Sequence, residues 1–330
     1  MDVLSEVLKA VRLEGAMFYH GEFSAPWSVH SPPSSMVAPY FTNEDRHVII
    51  YHLLTEGKAW ASLEGGAPVA LEGGDVVVFP HGHAHLMGNG PPVEPVDNSK
   101  QIAHILEQGL RVARMGGGGE ITRYVCGYMA GDPHLSRVIL SGLPPLLKVA
   151  IRDDAAGRWL EDSIRFSVNE AGAERAGGAA FLAKLSEALF VETLRRHVAA
   201  MPESQTGWLA GACDPDVGRA LALLHERPAQ QWTLADLARA TGVSRTILAE
   251  RFQHYLGEPP MAYLTKWRLQ LAAQRLCDTT RSIAEVSMEA CYRSEAAFNR
   301  AFKREFGAPP AQFRREARGS RAAGKGAGIA

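Results

Sequence analysis

Two spacings of apolar residues alternate along the 330-residue chain, and the change from one to the other divides it. Residues 1–14 place Val3, Leu4, Val7, Leu8 and Val11 at helical intervals, which predicts a short amphipathic helix. The pattern then becomes strand-like. Val48 to Leu54 is a β-rich run, Thr55 to Lys58 a turn, and Ala59 to Leu63 the return, together read as a hairpin. In that register Leu54 pairs Ala59 and His52 opposes Ala61, so His52 faces away from Tyr51, Leu53 and Trp60. Further strands are expected over Ala67 to Leu71, Asp75 to Phe79 and, behind the four-glycine loop Gly116 to Gly119, Ile121 to Tyr128. Short strands broken by Gly and Pro at this spacing predict an antiparallel sandwich or barrel.

From Pro133 onward the period is helical. Helices are expected over 158–169 and 178–200, the second with Leu182, Leu185 and Leu189 on one stripe, broad enough to pack on the strands and offer a seam to a second subunit. Residues 201–214, with Pro and two Gly, read as a linker between a first domain at 1–200 and a second domain at 215–318; 319–330 read as a disordered tail.

The second domain contains one pattern twice. Trp232 to Gly257 and Ser282 to Gly307 each read as helix, turn, helix, offset by 49 residues before the turn and 50 after it. Leu234 answers Ile283, Leu248 answers Phe298, Phe252 answers Phe302, and both copies end in Gly-x-Pro. Between them 260–277 forms one helix, about 27 Å long at ~1.5 Å per residue, apolar around much of its circumference. In such a unit the second helix enters the major groove of DNA. Its exposed positions are Arg245, Thr246, Ala249, Glu250 and Gln253 in the first copy, and Glu295, Ala296, Asn299, Arg300 and Lys303 in the second. Cys291 stands where the first copy has the turn glycine Gly242, a substitution that costs on the order of 1 kcal/mol at positive φ.

Charge sharpens the division. From Cys213 onward there are 18 Lys and Arg against 12 Asp and Glu, a net +6, while the preceding residues carry 17 against 24, a net −7. The basic half is the one with the repeat, as a polyanion partner requires. No run of eighteen apolar residues exists and the first residues are acidic, so a cytoplasmic protein without membrane contact is expected. Cys126, Cys213, Cys277 and Cys291 form no CxxC pair, which argues against a disulfide framework or zinc finger.

One motif in the first domain is specific. Gly74, five residues, Pro80-His81-Gly82, then His85 and Asn89 resemble the second motif of cupin barrels. The first cupin motif, with its HxH pair and glutamate, is missing; only His52 stands there. The resemblance therefore implies a ligand pocket lined by His52, His85, His83 and Cys126 rather than a metal centre or bound cofactor; any metal would need His85 with His52 or His83. The second domain, through SIAEV, YRSEAAFNRAFKREFG and PPAQFR, resembles the AraC/XylS family of transcription regulators. That family implies a multidomain α+β chain, with a cupin-like barrel and trailing helices followed by an all-α double helix-turn-helix. Its implied partners are double-stranded promoter DNA, RNA polymerase, a small-molecule effector and a second copy of the chain. A metal-dependent cupin enzyme carrying a DNA-binding tail is the alternative, and a barrel serving only dimerisation a third.

Overall fold

The computed structural model describes residues 13–317, apart from 43–45, 101–103, 105–109, 111, 134–135, 137–139, 141, 171–175 and 203. The helix expected near the start and the tail at 319–330 lie outside the described residues.

The first half contains β1 (Glu14–Ser24), β2 (Trp27–Ser31), α1 (Ser34–Phe41), β3 (His47–Glu56), β4 (Lys58–Leu63), β5 (Val69–Glu72), β6 (Asp75–Phe79), β7 (His85–Asn89), β8 (Val96–Asp97), β9 (Val112–Gly116), β10 (Ile121–Gly131) and β11 (Leu147–Ala150). They form a six-stranded sheet in the order β11-β6-β3-β10-β1-β9 and a five-stranded sheet in the order β5-β4-β7-β2-β8. Pairing is antiparallel except for β1 with β9 and β2 with β8. No ladder among the described residues closes the two sheets into a barrel.

The expected hairpin between β3 and β4 is not formed. β3 lies inside the six-stranded sheet with β10 on one edge and β6 on the other, so His52 pairs Cys126 and Val77 rather than Ala61. Both edges of β3 are therefore occupied, and β4 pairs β5 and β7 in the other sheet. The chain crosses between sheets at Gly57, whose φ of +80° suits glycine and whose Cβ, if it had one, would meet the carbonyl of Ile121. The alternation survives the correction. His52 and Leu54 face the space between the sheets, while Tyr51 and Leu53 face the opposite side.

That opposite side is covered by helices. α2 (Ala155–Glu170) and α3 (Gly178–Ala199) pack over the six-stranded sheet, burying Leu160, Ile164, Leu182, Leu185 and Leu189 against Ile49, Val76, Val78 and Met129. The Leu182 stripe is wholly used in this way and offers no seam to a second subunit. Polar ties set the helices in place. Tyr51 and Ser186 share a hydrogen bond of 2.5 Å. Arg152 donates to both oxygens of the buried Glu161 at 2.7 and 2.5 Å, and to the carbonyls of Gly73 and Thr55. β11 interrupts the region expected to be helical from Pro133, because Leu147 and Val149 complete the sheet beside β6.

The second half comprises α4 (Trp208–Cys213), α5 (Pro215–Glu226), α6 (Leu234–Thr241), α7 (Arg245–Leu256), α8 (Pro260–Asp278), α9 (Ile283–Glu289) and α10 (Glu295–Phe306). The stretch read as a linker holds α4, whose Trp208 and Leu209 are buried. The first helix pair belongs to the cluster that runs on from the sheet and its covering helices, and the second has a core of its own. Val217, Leu221, Leu237, Leu248 and Phe252 pack with Leu264 and Trp267 of α8, whereas Val286, Phe298 and Phe302 pack with Leu269, Ala273 and Leu276 farther along it. α8 thus changes core between Trp267 and Leu269. Both copies open with a reciprocal cap, Thr233 with Asp236 and Ser282 with Glu285, each hydroxyl accepting the third amide while the carboxylate accepts from the cap residue.

The turns differ as their sequences require. Gly242 has φ +80° and Cys291 has φ +63°, so the second turn keeps the left-handed conformation despite its side chain. Replacing Cys291→Gly should raise the stability of the second helix-turn-helix by about 1 kcal/mol, seen as a higher melting temperature; an unchanged or lower value would show that the Cys291 contact with the Ala229 carbonyl outweighs backbone strain.

Candidate nucleic-acid interface and sensing cavity

α7 begins at Ser244, whose hydroxyl accepts from the Ile247 amide, and ends at Gly257; α10 begins at Ser294 and ends at Gly307. Leu248 and Phe252 in one, and Phe298, Ala301 and Phe302 in the other, turn a fixed face to the core. The faces left outside carry the residues singled out from sequence. Arg245, Thr246, Glu250 and Gln253 are exposed with Ala249 half-buried, and Glu295, Ala296, Arg300 and Lys303 are exposed with Asn299 half-buried.

Other arginines nearby have internal partners. Arg251 pairs with Asp214 and Asp216 at 2.9 Å, holding α7 against α5, and Arg219 donates to the Thr241 carbonyl. Arg268 donates to the carbonyls of Pro228 and Gln230. Two exposed residues beside the readers were not picked out: Ile247, 45% exposed on α7, and Arg293, just before the cap of α10. Their position, in the first turn of α7 and just before the cap of α10, is the signal that marks them.

Between the sheets, His85, His52 and Cys126 come together. His85 is fully buried at the start of β7, where the turn through Gly82 (φ +67°) delivers it inward. Its Nε2 lies 2.8 Å from Nε2 of His52, whose Nδ1 lies 2.7 Å from Sγ of Cys126. His83 is not part of this group. Its side chain is exposed, and only its carbonyl takes part, 3.0 Å from Nδ1 of His85.

The proton positions follow from the acceptor at the end of this chain. A carbonyl only accepts, so His85 Nδ1–H donates to His83; neutral His85 then accepts at Nε2 from His52, and His52 accepts at Nδ1 from the Cys126 thiol. Every group is satisfied in its neutral form. Burial agrees with this, since it holds His52 well below the usual imidazole range, lowers His85 to about 4 and pushes the Cys126 thiol well up. The 2.8 Å between the two Nε2 atoms is a hydrogen-bond distance. No group of three or more His, Cys, Asp or Glu able to hold a metal occurs among the described residues.

Beside Cys126 and His52 lies a cavity of about 40 Å³ under α1, walled by Phe18, Tyr19, Val29, Val37, Ile50 and Tyr124 among others. None of its lining residues carries a formal charge.

A cupin model matches residues 2–199, and a helix-turn-helix domain model matches residues 237–316. The chain is 32% identical over 270 residues to an AraC-like transcription regulator of Streptomyces lividans, covering 81% of this chain and 87% of that protein. The chain belongs to the AraC family of transcription regulators. It is also 27% identical to the transcriptional regulator AlkR of Acinetobacter baylyi, over 96% of this chain and all of that one. The activator RclR of Escherichia coli, described as specific for RCS, is 28% identical over 96% of this chain and 99% of its own. These AraC-family relatives are regulators of transcription and not enzymes, so the fused-enzyme alternative falls. No described helix is long and apolar enough to cross a membrane.

The C-terminal half holds a histidine enclosed by aromatic rings. His225 lies between Trp208 and Trp267, 4.1 Å from the latter ring at 16°, and its Nε2 bonds to the Tyr263 hydroxyl, which also accepts from Trp208. Burial lowers it from 6.5 to about 3. The folded value of His225, like that of His85, lies below its unfolded one, so the stability it contributes is complete above pH 6.5 and is lost as pH falls toward the folded pKa. At pH 5 each should cost about 2 kcal/mol relative to pH 7. Denaturant midpoints between pH 7 and 5 check this: they should fall, and fall less in His225→Phe, whereas a flat profile would refute the neutral assignment.

Proposed function

We propose that this AraC-family regulator activates transcription at promoter DNA when a small, neutral, largely apolar effector binds between its sheets, and that it works as a homodimer contacting RNA polymerase. The observation that carries the effector class is the uncharged wall of the cavity. Carboxylates and phosphates need a charged partner, and the lining offers only neutral polar groups, Tyr19, Ser31, Asn98 and Tyr124 among them, in a mostly apolar wall. An effector larger than a few heavy atoms enters by displacing α1, a helix of eight residues interrupted by Pro39. Activation is supported by the name of the E. coli relative.

In this reading Arg245, Thr246, Ala249 and Gln253 meet one stretch of major groove and Glu295, Ala296, Asn299, Arg300 and Lys303 the next, with α8 between the two readers. Both faces are exposed and rich in hydrogen-bonding groups, which supports the assignment.

If Arg300 reads a base, Arg300→Ala should weaken specific binding by roughly 1 to 3 kcal/mol. If Lys303 meets only phosphate, Lys303→Ala should weaken binding to all sequences alike and flatten its salt dependence. Unchanged footprints in both variants would remove the second reader from the proposal. For the effector, Val29→Phe should fill the cavity, leaving DNA binding intact while abolishing thermal stabilisation by neutral apolar compounds. Stabilisation by sugars or carboxylates alone would overturn the effector class.

A further inference from the structure

α7 and α10 are built to one outline. Each has 12 residues, a serine cap whose hydroxyl accepts from the third amide of the helix, and a glycine in the left-handed region at its end. Leu248 and Phe252 in one, and Phe298 and Phe302 in the other, occupy matching places and are fully buried. The residue midway between each pair, Glu250 or Arg300, stands two positions from both, about 200° around the helix in either direction at ~100° per residue. It therefore points straight away from the core. Both side chains are exposed, and among the described residues neither makes an ion pair or hydrogen bond within the chain. The two outward faces thus carry opposite charges at their centres.

Arginine and glutamate differ in what they can meet on DNA. A guanidinium binds phosphate or guanine, whereas a carboxylate is repelled by every phosphate and only accepts hydrogen bonds. At the centre of a groove-facing surface a carboxylate needs a donor on a base edge. The major groove offers two, the N4 amino group of cytosine and the N6 amino group of adenine, and adenine sets its N7 acceptor beside that donor, where it repels the second carboxylate oxygen. Cytosine has no such acceptor. The neighbouring side chain favours pyrimidines as well. Ile247, one turn before Glu250 and 45% exposed, presents an apolar surface on the same side of α7, of the kind that packs on a thymine methyl group.

We propose that Glu250 determines the sequence specificity of the first helix-turn-helix by accepting from the N4 amino group of a cytosine, with Ile247 against the methyl group of a neighbouring thymine. The inference rests on the placement of α7 in the major groove given above and goes beyond it by naming the bases. Because Arg300 holds the matching place in α10 and suits guanine, the two segments of the operator carry a G·C pair in opposite orientations at the equivalent step. The negative charge also acts against wrong sites. Where no cytosine answers it, Glu250 is left unpaired beside phosphates, so it lowers affinity for all other DNA.

Duplexes selected by the purified full chain from a random-sequence pool test this, with footprints and dissociation constants measured on the selected DNA. The parent should prefer one cytosine in the first segment by about tenfold or more over other bases. Glu250→Ala should abolish the preference at that position alone and bind random duplex more tightly than the parent, and Glu250→Gln should move the preference to adenine. Uracil in place of the neighbouring thymine, which removes only the methyl group, should weaken the parent several-fold and leave Ile247→Ala unaffected. Both side chains are exposed, so circular dichroism should be unchanged in every variant. A parent that protects only one segment of DNA would overturn the placement of α7 itself. Two protected segments with every base preference kept in Glu250→Ala would overturn the role of Glu250 alone, and a parent indifferent to uracil would overturn that of Ile247.

Discussion

The six-stranded sheet is apolar on both faces, and this requires two covers. β6, Asp75-Val-Val-Val-Phe79, is buried at every position, so neither face of that strand can meet water. The five-stranded sheet covers one side and α2 with α3 the other. This demand explains why the helical segment is part of the sensing half and not an appendage, and why the Leu182 stripe is consumed internally. It also decides which helix face remains free. With the inward residues of α2 and α3 committed to the sheet, the aromatic residues of α2 can only point outward.

Between the sheets the governing condition is different, because polar groups are buried there as well. A histidine pair and a thiol in an apolar interior are tolerated when each donor has one acceptor and no group is ionised. The chain from Cys126 to the His83 carbonyl meets that condition with a single arrangement of protons. It also gives the cavity its character: the wall beside His52 is polar in composition yet electrically neutral, with its hydrogens directed along the protein rather than into the space.

Much of this was legible in the sequence where local chemistry decides structure. The paired helix-turn-helix units could be laid over one another because Thr233, Gly242, Ser244 and Gly257 each perform a local task, and the second copy departs at Cys291 and by one extra residue in the turn. Gly82 and His85 were legible for the same reason. What escaped were long-range pairings. β1 has a register shift between Met17 and Tyr19 that breaks its alternation, and α1 carries Pro39 within it, so neither shows a clean period. The false hairpin arose because two adjacent runs joined by a tight turn usually pair; nothing local records that β10, some seventy residues on, takes the edge of β3. Trp208 was read as linker for want of periodicity in so short a helix, although its partners lie in α5 and α8.

That last placement makes the two readers mechanically unequal. Trp208 is locked into the first core by Tyr263 and His225, and the Gly207 amide is bonded to the Tyr255 carbonyl at the end of the first recognition helix. A pull from the sensing half therefore arrives directly on α7. The second helix pair has a separate core and is tied to the first through α8 and the Cys291 contact with the Ala229 carbonyl, so of the two exposed helix faces that of α7 stands nearer, in bonded contacts, to the segment leading from the N-terminal half.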